Sequence, residues 1–90
     1  MMRPLRLGKF NIQRTTILDN PELVKAITNG MIIFRAEMMM HKDAVEYIAV
    51  SNLFEEIQWG IEPPFYDIMI DNRMDTDGTY EVTAKRVSPL

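Results

Sequence analysis

Apolar and polar positions alternate along much of this chain, most clearly between Met31 and Val50. Ile32, Phe34, Ala36, Met38 and Met40 fall on one face of an extended backbone, because strand side chains alternate. Val45, Tyr47 and Ala49 repeat the pattern after the polar pair Lys42-Asp43. The spacing predicts a central hairpin with strands over 31–40 and 44–51. A two-residue loop sets Met40 against Val45, Met38 against Tyr47 and Ala36 against Ala49, apolar on apolar. Lys-Asp suits a primed turn poorly, since both residues would need positive φ, so the loop is less well defined than its strands. A helix over 36–49 competes, because Ala, Met, Glu and Lys are good helix formers. The clustering of Val45, Tyr47, Ile48 and Val50 favours a pleated surface.

The reverse face of this hairpin carries Ile33, Ile48 and Val50 beside Arg35, Glu37 and Met39. A fully solvated face would be more polar, so another element or another chain is expected to cover it.

Three further segments carry local signals. Residues 20–30 read as a helix: Asn20 caps, Pro21 suits the first turn, and Glu22 complements the positive end of the dipole. Asn29-Gly30 supplies the stop, and Leu23, Val24 and Ile27 form one apolar stripe. Residues 5–13 read as an edge strand whose period slips at Gly8-Lys9, as a bulge would make it do. Residues 52–60 read as a short helical turn, with Asn52 and Glu55 placed like a capping box and Leu53, Phe54 and Ile57 pointing inward. Pro63-Pro64 marks an extended connector. A second hairpin follows over 66–74 and 79–87, with Gly78 in the left-handed position of a three-residue loop. That register pairs Ile68 with Arg86, Ile70 with Ala84 and Arg73 with Glu81.

Together these elements predict an α+β fold, a single domain over 1–90. Its antiparallel sheet has four or five strands, formed by two hairpins and an N-terminal strand, with one helix packed on a face. A chain of 90 residues buries only roughly 60–65% of its unfolded surface, so its core is modest.

Composition adds exclusions. The chain has no cysteine, which removes disulfides and thiolate metal sites. No stretch has the apolar length of a leader or a membrane span, and a cytoplasmic location is expected. Net charge is −3, but the charges are segregated. Residues 1–42 hold seven basic and three acidic side chains, and residues 43–84 hold one basic and ten acidic. Folding either brings the blocks together or leaves a two-faced surface.

Candidate chemistry is sparse. Asp75-Thr76-Asp77-Gly78 has part of a calcium-loop pattern, but aligning its glycine puts Arg73 at the first ligand position and Ala84 at the last. His41, the one histidine, adjoins Met38, Met39 and Met40, yet alternation points Met39 and His41 away from Met38 and Met40. Glu55 and Glu56 diverge on a turn, and Asp67, Asp71 and Asp75 are spaced too widely for an acid–base pair. No metal, cofactor or catalytic residue is expected, and the chain reads as a non-enzyme.

Three binding readings remain. The first is a non-catalytic protein-binding module, self-association being its simplest version, with Ile33, Met39, Ile48 and Val50 as contact surface and Trp59 as an interface anchor or a plug over the sheet edge. The second is an inhibitor whose Asp67, Asp71, Asp75 and Glu81 imitate nucleic-acid phosphates in a basic groove. The third is nucleic-acid binding through Arg3, Arg6, Lys9 and Arg14, with Phe10 as a stacking aromatic.

Overall fold

The chain doubles back between Met31 and Val50, as the alternation requires. In the computed structural model, which describes residues 5–58, 60–73 and 79–87, strand β2 (Ile32–Met39) and strand β3 (Ala44–Val50) pair antiparallel. No α-helix forms over 36–49. The loop is longer than expected: Met40–Lys42 makes a 3-10 turn and Asp43 closes it in the left-handed region at φ 52°. Register therefore slides by two residues. Met38 meets Val45 and Ala36 meets Tyr47. A slip of two keeps every side chain on its original face, so the alternation is satisfied equally well.

Strand β1 (Leu7–Gln13) pairs antiparallel with the other side of β3, so β3 is the middle strand of a three-stranded sheet and β2 is an edge. β1 runs in unbroken register from Leu7–Val50 to Gln13–Ala44, so Gly8 makes no bulge. A β-carbon at Gly8 would lie 2.9 Å from a ring carbon of Phe54. Its glycine serves close approach instead.

A six-residue helix, α1 (Arg14–Asp19), which alternation did not predict, leads into α2 (Pro21–Thr28). Helix α2 has the expected ends. Asn20 Oδ1 accepts from the backbone N–H of Leu23 at 3.3 Å, and Gly30 takes φ 76° beyond the last turn. Ile27 is buried, and Leu23 and Val24 pack on the same cluster. Each such side chain stabilises the docking by roughly 1.5–3 kcal/mol.

Residues 52–54 form a turn and not a helix. Ser51 Oγ, instead of a capping box, accepts from the N–H of Leu53 at 3.1 Å. Phe54 is driven into the core at 1% exposure while Leu53 stays exposed.

The second hairpin pairs β4 (Tyr66–Arg73) with β5 (Thr79–Arg86). Here too the register lies two residues from the expected one: Ile70 meets Val82, Ile68 meets Ala84 and Asp71 faces Glu81. Arg73 pairs with Thr79 in the ladder, two residues from the expected partner Glu81.

The five strands thus divide between a three-stranded and a two-stranded sheet. Between them runs the connector. Leu5 and Ile57 exchange backbone hydrogen bonds of 2.8 and 2.6 Å, and the N–H of Lys9 donates to Pro64 O at 2.9 Å. This proline-bearing segment meets the outer edge of β1 at Lys9, and because prolines donate nothing it does so without becoming a full ladder strand.

An aromatic series joins the two sheets. Tyr47 stacks on Phe10 at 5.1 Å, Phe10 meets Phe54 at 6.0 Å, and Phe54 stacks on Tyr66 at 4.5 Å. Partial burial raises the Tyr47 phenol above its ordinary value.

Candidate functional site: the open edge of the three-stranded sheet

The two edges of the larger sheet are treated differently. The connector bonds to the outer side of β1 at Lys9, but among the described residues no loop or turn hydrogen bond reaches the outer side of β2. Seven of its eight residues are exposed and Met39 is half-buried. Ile32 is 62% exposed and Phe34 56%. Natural edges are ordinarily guarded by charge, brevity or a bulge. Strand β2 has a bulge at Phe34 and one ion pair, Arg35 to Glu37, but is otherwise apolar.

The bulge redistributes the faces. Ile33 pairs with Ala49, whereas Arg35 pairs with Ile48. Ile33, Ala36 and Met38 therefore share the face of Val45, Tyr47 and Ala49. Ile32, Arg35, Glu37 and Met39 share the reverse face with Ile48 and Val50. Of the expected contact residues Ile33, Met39, Ile48 and Val50, the last three stay together and Ile33 moves to the opposite side. Met39, Ile48 and Val50 are half-buried, and Ile33 is exposed. The chain's own helices lie against the Phe10 face, so they do not cover the reverse face. Trp59 lies outside the described residues.

Alternation had placed Ile32, Phe34 and Met38 on an inward face. All three are exposed on the edge strand β2, and the bulge sets Ile32 on the reverse face. The signal for this was the apolar run Met31 to Phe34, which is apolar on both faces and so fits no half-buried strand in a protein of this size.

The acidic row is interrupted. Asp67 and Asp71 share the exposed face of β4–β5 with Glu81, but Asp67 faces Lys85 and Met69 lies between the two aspartates. Asp75 and the Asp-Gly loop with its partial calcium pattern lie outside the described residues.

The basic arm is folded against the acidic block. Arg6 Nη1 donates to Phe54 O at 3.0 Å, and Arg6 also pairs with Glu56 at 3.5 Å. Lys9 pairs with Glu62 at 3.2 Å, and Arg14 grips both carboxylate oxygens of Asp43 at 2.6 and 3.3 Å. Arg86 similarly meets Glu55 at 2.9 Å. Phe10 has no exposed surface with which to stack on a base. Arg3 lies outside the described residues. Exposed pairs of this kind stabilise by about 0–1 kcal/mol each, but together they set a carboxylate against each of Arg6, Lys9 and Arg14.

A pocket of about 350 Å³ beside the connector is lined by Lys9, Pro63, Phe65 and Arg86. Both of its cations are already held by Glu62 and Glu55. Among the described residues no three His, Asp or Glu side chains converge on a metal position, and His41 is exposed in the hairpin turn. No described helix is long and apolar enough to cross a membrane.

Comparison with known proteins found no matching family model, no matching curated relative and no matching solved structure.

Proposed function

We propose that this chain is a non-catalytic protein-binding module that presents the outer edge of β2 to a partner strand. The observation that carries the reading is the asymmetry of the larger sheet. One edge is hydrogen-bonded at Lys9 by the chain's own connector, and the other displays seven exposed residues, with apolar side chains on both faces. An added strand would satisfy the free main-chain groups, and pockets for alternate side chains would give selectivity. Ile32, Ile33, Phe34 and Met38 supply the area, with Met39, Ile48 and Val50 continuing it across the reverse face.

The other two binding readings have less behind them. Nucleic-acid binding through the N-terminal arm would require breaking ion pairs at Arg6, Lys9 and Arg14. Mimicry of nucleic acid would have to tolerate Lys85 opposite Asp67.

The test is capture from a native extract by the wild-type chain and by an Ile32→Lys/Phe34→Lys variant. Both positions are exposed, so the fold should survive. Proteins retained by the wild type and lost by the variant are expected. Retention that is the same for both chains would sink the reading.

A further inference from the structure

We infer that the strand added to β2 is β2 of a second copy, paired antiparallel about a two-fold axis at Ala36. This inference rests on the protein-binding reading above and specifies its partner.

A two-fold axis perpendicular to the sheet leaves each face where it is. Residues directly opposite in an antiparallel pair also share a face. In the regular stretch 35–39 the axis must therefore pass through a residue. Placing it at Arg35 sets Arg35 on the partner's Arg35. At Glu37 it sets two carboxylates on each other, and at Met38 or Met39 it sets neither Arg35 nor Glu37 on an opposite charge within the partner's strand. At Ala36 it sets Arg35 on the partner's Glu37, and Glu37 on the partner's Arg35. Like charges directly opposite are unfavourable, and opposite charges attract. Within one strand Arg35 already pairs with Glu37. The four charges then form a checkerboard across the seam, and the partner's Arg35 also offsets the like charge that Glu37 meets at Glu46 of β3.

The bulge fits the same register. Beyond Phe34 the faces of β2 exchange, as the pairing of Ile33 with Ala49 requires. Passing outward from Arg35 and leaving Phe34 as the extra residue, Ile33 meets the partner's Met38. Ile32 then meets the partner's Met39. Ile33 and Met38 share the Tyr47 face, and Ile32 and Met39 share the reverse face, so both pairs match in side and in character. The product is a six-stranded sheet with β2 and its copy at the centre. Such a contact is isologous, each patch meeting itself. One strand per copy lies at the small end of specific interfaces, below about 1,200 Å² in total, so the dimer should dissociate on dilution.

Sedimentation equilibrium over a concentration series tests this with four chains: wild type, Arg35→Glu, Glu37→Arg, and the double exchange. Circular dichroism confirms that each is folded. A wild-type dimer is expected, with each single variant weakened at least about tenfold by like-charge opposition. An equimolar mixture of the two single variants should recover the dimer, as should the double exchange. Within each single variant the two like charges remain neighbours, so recovery on mixing reports contact between chains alone. A monomeric wild type overturns the inference, and so do single variants that associate normally or a mixture that stays monomeric. The capture experiment separates the two claims. Should the wild type prove monomeric yet still retain another protein through Ile32 and Phe34, the self-pairing falls and the binding reading stands.

Discussion

A β-carbon on Gly8 would lie 2.8 Å from two ring carbons of Tyr66. The glycine on β1 is thus the floor on which the first aromatic of β4 rests, and this contact helps seat the two-stranded sheet against the three-stranded one. Phe54 closes the other side of the same space and is itself fully buried, so neither ring is a loose end that swings away. Gly8→Ala should destabilise the fold by about 1–3 kcal/mol, the usual cost of overpacking a filled core. Urea unfolding should show a lower midpoint at unchanged slope. An unaltered midpoint would mean that the hairpin is not seated there.

Tyr66 also ties the connector down. Its hydroxyl accepts from the backbone N–H of Glu55 at 2.8 Å, while the ring is 2% exposed. Tyr66→Phe keeps the stacking on Phe54 and removes that acceptor. A loss of about 1 kcal/mol is expected. Amide exchange should speed up at Glu55 more than in β3, and uniform acceleration would argue against a local tie.

Asp43 should report on acid. The hydrogen bond from Arg14 holds its carboxyl below the ordinary aspartate value of 3.8. A lowered folded value means the stabilisation is complete above the unfolded value and fades as pH falls through the folded one. Carbon-detected titration should place the Asp43 midpoint below 3.8, and Arg14→Ala should return it to the ordinary range. A midpoint indifferent to Arg14 would show that the ion pair does not form in solution.

Heparin chromatography separates the binding readings. Arg6, Lys9 and Arg14 already face carboxylates, so the wild-type chain should pass through at low salt. Retention that weakens steeply with salt would revive the nucleic-acid reading.

Local features of this fold were legible in the residues. Helix α2 could be read because its cap, its first-turn proline and its terminal Asn-Gly act within a few positions of one another. The five strands could be read because alternation is a property of each strand alone. The proposed contact residues were partly grouped correctly: Met39, Ile48 and Val50 share one face as the alternation requires, whereas the bulge at Phe34 puts Ile33 on the opposite face and Ile32 on theirs.

By itself, the sequence determined which segments extend, which one coils, and which side chains share a face within an unbroken strand. Those choices depend on neighbours along the backbone. Tertiary structure alone decided that both hairpins close two residues from the expected register, that the strands split into two sheets, that the basic arm meets the acidic block, and that β2 is an edge. A shift of two residues leaves each side chain on its face, so alternation does not distinguish the registers. Which strand lies outermost depends on what the rest of the chain covers, and a strand's own residues do not carry that information.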